Sequence, residues 1–401
     1  MPLDFLPLHV LSVLQFHTPG KHLLPNLKTL KLSSMPAARD SISFIPLFLS
    51  PKLTVIELRF SKLNAYRVMA ASMIATLPIT CPDLQKIRLE GLPRDPVIIC
   101  AVSQFVTANR GTLRSFHVDS PLTQEAAEIL YKSPHLCELH TVVDGPTSLP
   151  AMELPNLTRM DIKFYHHYDW LQGFLGASLG KLVSLTFRCE SRLTGLLEAF
   201  KQATVATSIP TTLLTFHLCT TRPWRPNYRS LLPFTHLTKL DIEFPCVSNC
   251  SSTIDDDSIT ELAQALHELE FLYLGGRPCE ASAGVTAKGL SALAYYCPHL
   301  RHLRIHFQIA TLDPPDTPLL ASSGKSREDC ALTFLDVGYI RVPDASMLIV
   351  ALTLLRIFPN LESINYSDSG WERVADAIYG SKQVASCSSK GLIICGTSTR
   401  F

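Results

Sequence analysis

The sequence holds three groups of residues whose types could bind a metal ion. They are the segment His166–Trp170, which contains two adjacent histidines and an aspartate, the pair Cys246 and Cys250, and the acidic run Asp255–Asp257. Adjacent histidines tend to point apart, the cysteine pair lacks a partner pair, and the acidic run lacks the alternating ligand spacing of a calcium loop. We therefore predict no metal site, and we interpret the acidic run as a helix N-terminus, which the helix dipole favours.

Motifs that carry catalysis are also missing from the sequence. It has no Gly-rich phosphate loop, no G-x-S-x-G turn and no H-E-x-x-H pair. We therefore expect a protein that is not an enzyme and needs no cofactor.

Charge and cysteine usage restrict the possible partners. The chain has 36 Lys+Arg and 35 Asp+Glu, a net charge of +1, so it lacks the basic excess that phosphate-dominated nucleic-acid binding requires. No apolar run is long enough for a membrane span. The 12 cysteines are scattered without a CxxC pair, which is typical of free thiols in a reducing compartment. We expect a cytoplasmic or nuclear protein that binds neither nucleic acid nor membrane.

A short motif, L-x-x-L-x-L with other apolar residues allowed at its second and third positions, recurs along the whole chain. Its thirteen copies begin at Leu27, Leu53, Leu84, Leu113, Leu136, Leu157, Leu182, Leu213, Leu237, Leu269, Leu300, Leu332 and Leu361. The mean interval of about 28 residues is the length of a leucine-rich repeat. The copy at Leu136 is weaker, because Thr141 replaces its last apolar residue.

The residues around each motif predict a strand that follows a helix. Proline stands two residues before the first leucine in seven copies, where it ends a helix and fixes the start of a strand. Apolar residues at three- and four-residue spacing predict helices between the motifs. The clearest such segments are Tyr66–Leu77, Thr123–Leu130, Ser258–Leu266, Thr286–Tyr296, Asp344–Ile357 and Trp371–Ile378. Asp257 or Ser258, and Asp344, are predicted to cap their helices.

These units predict an α/β leucine-rich-repeat solenoid, curved and irregular, with a parallel sheet on the concave face and helices on the convex face. We expect an N-terminal cap over residues 1–24, about 13 repeats over 25–379 and a Ser/Gly-rich tail over 380–401. The Pro-rich segments 220–234 and 310–330 are predicted to be surface loops whose role is open.

The residue between the last two apolar positions of each motif should lie on the open face of the sheet. These thirteen residues are all polar, and we call them the polar row: Lys31, Glu57, Arg88, His117, His140, Asp161, Thr186, His217, Asp241, Tyr273, Arg304, Asp336 and Asn365. Such a row is either an ordinary solvated face or a binding surface. Aromatic and Arg residues, which are common in binding hot spots, favour binding. The residues predicted to contact a protein partner are His117, His140, Asp161, His217, Asp241, Phe271, Tyr273, His302, Arg304, His306, Phe334, Asp336 and Tyr339.

Several segments carry a resemblance to a known family, beginning with residues 254–274 (IDDDSITELAQALHELEFLYL). Residues 284–305 (GVTAKGLSALAYYCPHLRHLRI) contain a GLxxLAxxCP helix followed by LxxLxL, and Cys81–Pro82 before Leu84 repeats the Cys-Pro feature. Together with the ending RIFPNLESINYSDSGWERVADAI, they resemble the repeats of F-box/leucine-rich-repeat proteins of mushroom-forming fungi. The resemblance covers residues 20–380 and implies a monomeric substrate receptor of a ubiquitin ligase.

The resemblance leaves the link to the ligase open. In that family an F-box precedes the repeats and binds the ligase adaptor, whereas the first motif here begins at Leu27. We expect the adaptor to be a partner only if an F-box is encoded upstream, and the protein target is not identified. The alternative is a signalling or GTPase-regulatory scaffold that uses the same repeat and is unrelated to ubiquitin.

Overall fold

The protein forms two compact units, Met1–Arg222 and Pro223–Phe401. The computed structural model describes Val13 and residues 22–32, 43–60, 67–144, 153–165, 181–190, 196–205, 212–221, 227–244, 254–275, 284–308, 330–338, 340–366 and 368–389. The boundary between the units falls inside the segment 220–234, and the repeat array predicted over residues 25–379 spans both units. Most of the predicted cap 1–24 and of the loop 310–330 lies outside the described residues.

The first unit contains eight strands and four helices among its described residues. Its strands are β1 Thr29–Leu32, β2 Val55–Arg59, β3 Lys86–Glu90, β4 Ser115–Pro121, β5 Glu138–Val143, β6 Arg159–Phe164, β7 Ser184–Cys189 and β8 Thr215–Thr220. Its helices are α1 Arg67–Thr80, α2 Pro96–Ala108, α3 Gln124–Leu130 and α4 Leu196–Val205.

The second unit repeats this alternation. Its strands are β9 Lys239–Glu243, β10 Phe271–Leu274, β11 His302–Ile305, β12 Phe334–Gly338 and β13 Ser363–Tyr366. Its helices are α5 Asp256–Ala265, α6 Ala287–Tyr296, α7 Met347–Ile357 and α8 Gly370–Ser389.

All thirteen strands are parallel, and within each unit every strand pairs with the next one along the chain. The predicted α/β class and the position of every strand are thus confirmed. Parallel neighbours need a crossover connection, and the helices supply it between several of the strands. Consecutive helices also pack on one another, α1 on α2 and α2 on α3 in the first unit, and α5 on α6 and α7 on α8 in the second.

The motif leucines form the core, as predicted. The first leucine of each copy is fully buried except Leu27, and the two later apolar positions are buried except Leu32 and Tyr366. These exceptions lie in β1 and β13 or just before them. Thr141, in the weak copy, is also buried and hydrogen-bonds to the buried Tyr131 hydroxyl, so this polar residue is satisfied inside the core.

Aromatic rings fill the core of the first unit near β6 to β8. Phe187 is fully buried and lies edge-on to Phe164, Phe200 and Phe216, with ring centroids 6.1, 5.9 and 6.0 Å away. Edge-to-face contacts of this kind add to the stabilisation from burial alone.

The same backbone junction links successive strands. One carbonyl oxygen just before or at the start of a strand accepts two consecutive N–H groups from the next strand. For example, the Thr54 oxygen accepts from Gln85 and Lys86, and the Glu270 oxygen accepts from Arg301 and His302. This junction fixes the register, which is why equivalent motif positions lie side by side.

Several predicted helix boundaries were wrong. The side chain of Asp255, not Asp257 or Ser258, caps α5 by accepting from Ser258 N–H, which confirms that the acidic run is a helix N-terminus. Asp344 begins a short 3₁₀ helix before α7 and makes no side-chain cap. Helix α8 continues to Ser389, so it extends into the region predicted as a tail.

Helix α2 was not predicted, although its start carries a readable signal. The Asp95 carboxylate accepts from Val97 N–H at 2.9 Å, and Pro96 occupies the first helical position. An N-cap aspartate followed by proline is typical of a helix start.

Candidate functional site

The polar row lies in register across consecutive strands of each unit. In the first unit, the paired residues run Lys31, Glu57, Arg88, His117, His140, Asp161, Thr186 and His217. In the second unit, they run Asp241, Tyr273, Arg304, Asp336 and Asn365. The predicted residues are therefore neighbours on one face of each group of strands.

Two parts of this row are tightly interconnected rather than simply solvated. We call the first the His140 cluster: Glu90, His117, Asp119, His140, Asp161 and Arg188. We call the second the Arg304 cluster: Glu243, Tyr273, Arg304 and Asp336. In both, a central residue of the row is enclosed by charges from neighbouring strands.

His140 is the centre of the first cluster and has only 4% of its side chain exposed. Its Nε2 lies 3.0 Å from Asp119 Oδ1 in a hydrogen bond. Its Nδ1 lies 3.0 Å from Asp161 Oδ2, close enough for an ion pair but not aligned as a hydrogen bond. The ring stacks on His117 with centroids 3.8 Å apart and an interplanar angle of 9°. His140 is thus held by two carboxylates and one ring.

A shift in strand register brings Asp119 to His140. His117 pairs with His140, but Pro121 pairs with Val142, so four residues of β4 span the length of two residues of β5. Asp119 lies within this bulge, and its Oδ2 also accepts a hydrogen bond from Gly91 N–H at 3.1 Å. Bulges commonly redirect a side chain in this way.

The surroundings shift the pKa values of the two histidines in opposite directions. For His117, burial and then the charges of His140 and Arg88 lower the pKa to about 4. For His140, burial lowers the pKa, but the hydrogen bond with Asp119 and the negative charges of Asp119 and Asp161 outweigh it and raise the pKa above its usual value. At neutral pH, His117 is therefore neutral, and one nitrogen of its ring carries a free lone pair.

The two aspartates of this cluster are held ionised. Burial raises the pKa of Asp119, but hydrogen bonds from His140 and Gly91 lower it further, to about 2. The pKa of Asp161 is also lowered, because His140 and Arg188 outweigh the effect of burial. Arg188 Nη2 lies 2.9 Å from Asp161 Oδ2. The cluster thus combines a buried imidazole with two carboxylates at neutral pH.

A groove of about 220 Å³ opens beside the cluster on the polar face. Its lining includes His117, His140, Asp161 and Thr186 from the polar row. This volume is below the range of typical small-molecule pockets, and its lining is more polar than such pockets usually are.

The Arg304 cluster has the same construction with the charges reversed. Arg304 Nε donates to Asp336 Oδ2 at 2.8 Å, and Arg304 Nη1 lies 3.3 Å from Glu243 Oε1. The guanidinium also lies 5.0 Å from the centre of the Tyr273 ring. Asp336 is only 5% exposed, and its Oδ1 accepts from Gly338 N–H at 3.0 Å. A buried carboxylate is therefore compensated by one arginine and one backbone group.

Aromatic rings line the polar face next to this cluster, two residues before the polar-row residue of each strand. Phe271 stacks on His302 with centroids 4.5 Å apart, and His302 lies 5.4 Å from Phe334. All three are partly exposed. They supply an apolar strip beside the charged cluster.

The structure separates the thirteen predicted contact residues into groups. His117, His140 and Asp161 meet in the first cluster, and Tyr273, Arg304 and Asp336 meet in the second. His217 and Asp241 lie in the row but outside both clusters. Tyr339 and the segment His166–Trp170 lie outside the described residues.

Sequence reasoning missed the charged residues that complete both clusters. Glu90, Asp119, Arg188 and Glu243 each stand two residues after a member of the polar row, so they lie on the same face of the strand. This two-residue offset is visible in the sequence and could have predicted a second charged row.

Three residues of the first cluster also offer metal-ligand atoms close together. One atom each from His117, Asp119 and His140 lies within 4.8 Å of the other two. The prediction of no metal site rested on local spacing, and these residues come from two strands.

No protein-family model matches the sequence, and no curated protein matches it either. Over the part of the chain that the structure describes, no helix combines the length and apolarity needed to cross a bilayer. The fold and the site therefore define the class only as an α/β protein of parallel strand–helix units with a polar, charge-paired strand face.

Proposed function

We propose that the chain is a protein-binding scaffold of the leucine-rich-repeat type, not an enzyme, and that its polar face contacts the partner. The single observation that carries this proposal is the register of the polar row, which presents consecutive polar side chains side by side above a core of leucines. An extended polar face of this kind suits a macromolecule, because many small contacts can add up along it.

The surface chemistry supports protein as the partner class. The Arg304 cluster and the partly exposed rings of Phe271, His302 and Phe334 combine the residue types that dominate protein-binding hot spots. In the more specific form of the proposal, the chain is the substrate-recognition part of an F-box-like ubiquitin-ligase receptor in the cytoplasm or nucleus.

The test is to map where a partner touches the chain in cells. A photo-crosslinking residue is placed at Thr186 on the polar face, at Tyr273 on the polar face of the second unit, or at Gln104 on the exposed side of α2. We expect adducts with a common partner from one or both polar-face positions and none from Gln104. Adducts from Gln104 alone would contradict the proposal.

The ubiquitin role needs a separate measurement. Deleting the gene should lengthen the half-life of the crosslinked partner, and purified full-length protein should co-purify with the ligase adaptor. An unchanged half-life together with no adaptor would refute the ubiquitin role while leaving the scaffold intact. Partner GTP hydrolysis that changes on adding the chain would instead identify a regulatory scaffold.

A further inference from the structure

We propose that His117, Asp119 and His140 form a binding site for one divalent transition-metal ion, with Zn²⁺ as the best match. Two imidazole nitrogens and one carboxylate oxygen are a donor set that zinc accepts in proteins. The three ligand atoms already lie within 4.8 Å of one another, on adjacent strands whose pairing is fixed by the backbone.

The distances require only a small adjustment. Ligand atoms around tetrahedral zinc lie about 3.3 Å apart, given metal–ligand bonds of about 2.0–2.2 Å. The 3.0 Å between His140 Nε2 and Asp119 Oδ1 is close to that separation. His117 must tilt out of its stack with His140, and it has room because 24% of its side chain is exposed. The buried His140 and the bulged strand therefore form the fixed part of the site.

The orientation of His140 distinguishes this site from a chance surface group. A metal-binding histidine usually has a carboxylate or carbonyl at its second ring nitrogen, which fixes the ring. Here Nε2 faces Asp119, while Nδ1 faces Asp161 at 3.0 Å, and Arg188 in turn holds Asp161 at 2.9 Å. The supporting residues are thus in place before an ion binds.

Binding also balances in protons. The ion takes the position of the Nε2 proton that His140 shares with Asp119. That proton goes to solvent when Nδ1 already carries one, and otherwise to Nδ1, which faces Asp161. His117 and Asp119 need no deprotonation at neutral pH. Arg88 and Arg188 are paired with Glu90 and Asp161, which reduces their repulsion of the cation.

Three protein ligands leave a fourth coordination position for a water molecule or for an oxygen or nitrogen donor of a bound molecule. His117 and His140 line the groove of about 220 Å³, so the open position is accessible from that side. This inference does not depend on the proposed scaffold function, and either can fail without the other.

The experiment titrates Zn²⁺ into the full chain after chelation and dialysis, with binding measured by calorimetry. Asp119→Asn and His117→Phe each remove a ligand while keeping a similar shape. Asp161→Asn keeps all three ligands but removes both the carboxylate beside His140 Nδ1 and the partner of Arg188. The matched control is His135→Gln, which changes an exposed histidine just before β5.

We expect wild type and His135→Gln to bind one ion at this site with equal affinity. Asp119→Asn and His117→Phe should weaken binding by about 100-fold or more, and Asp161→Asn by about 10–100-fold. Equal affinity in all variants, or no binding by wild type at millimolar Zn²⁺, would overturn the proposal. The titration is repeated with Co²⁺ and followed by absorption spectroscopy, because a cysteine site shows a thiolate-to-cobalt charge-transfer band. Such a band as the main signal would also overturn the proposal.

A second measurement needs no variant. The histidine side-chain NMR signals of the unmutated chain are followed as Zn²⁺ is added. Of the 14 histidines, the two that respond first should be His117 and His140. A first response from other histidines would place the ion elsewhere.

Discussion

Replacing Arg304 by Met should destabilise the second unit by about 2 kcal/mol. The Met side chain keeps much of the packing of the arginine stem. It removes the Arg304 hydrogen bond from the Asp336 carboxylate, which is only 5% exposed and still accepts from Gly338 N–H. Losing a hydrogen bond to a buried charged group costs about 1.5–3 kcal/mol, and the cation–π contact with Tyr273 adds about 0.5–1 kcal/mol. Together these two losses come to about 2–4 kcal/mol. Because 35% of the Arg304 side chain is exposed to solvent, we expect a loss at the lower end, about 2 kcal/mol.

The assay is urea unfolding followed by circular dichroism, with thermal unfolding as a check. A loss of about 2 kcal/mol corresponds to a Tm lower by roughly 4–8 °C for a unit of this size. Combining Arg304→Met with Asp336→Asn should give less than the sum of the two single losses, because the partners are in direct contact.

The matched control lies in the same unit. Arg229 donates to both carboxylate oxygens of Glu261 at 2.8 and 2.9 Å, but both side chains are exposed. Arg229→Met should therefore cause a clearly smaller loss, since exposed ion pairs are weak and are screened by salt. Equal losses for Arg304→Met and Arg229→Met would refute the reasoning that burial of Asp336 sets the cost.

Three further predictions concern the first unit. Phe187→Ala should lower the free energy of unfolding by about 3–5 kcal/mol, because it opens a cavity among three other phenylalanine rings, and Phe187→Leu should lower it by less, both measured by urea unfolding. In the presence of a chelator, the urea midpoint should fall as the pH rises from about 6.5, because the raised pKa of His140 stabilises the fold only while the ring is protonated. The variant His140→Gln should lose this pH dependence. A pH dependence that persists in the variant would contradict the assignment to His140. Below pH 6.5 the lowered pKa of His117 acts in the opposite sense, so the test belongs above that value. Gly91→Ala should destabilise the fold, because Gly91 has a φ of +76° and an added Cβ would collide with the Phe60 carbonyl oxygen. A thermal midpoint equal to that of wild type would contradict this prediction.

The strands were predictable because the same pattern occurs thirteen times. In each motif, positions such as Ile87 and Leu89 alternate with a polar residue, and period-two alternation is direct information about which side chains share a face. The helices were less predictable. Helix α2 was missed although its amphipathic spacing is no weaker than that of α1, which was predicted, and although Asp95 and Pro96 mark its start. The capping residues are the signal in the sequence that could have predicted this helix.

The sequence could predict the candidate site only where neighbouring strands pair in regular register. The polar row follows from counting along each motif, so the neighbourhood of His117, His140 and Asp161 could be derived from the sequence. The contact between Asp119 and His140 could not, because it depends on the bulge between β4 and β5. The burial of His140 and Asp336 also escaped prediction, since both lie on the face expected to be open. Asp119, two residues beyond its row position, and Asp161, in the row itself, enclose His140. Glu243, two residues beyond its row position, contacts the arginine that covers Asp336.

The repeated junction, in which one carbonyl oxygen accepts two N–H groups of the next strand, has a consequence for how such a chain can change length. Duplicating or deleting a whole strand–helix segment recreates the same junction at the new boundary, so leucines still meet leucines and polar residues still meet polar residues. Deleting a single residue within a strand instead moves every following side chain of that strand to the opposite face. Chains of this architecture can therefore grow or shrink during evolution by entire modules, while single-residue insertions and deletions should be confined to the connecting segments.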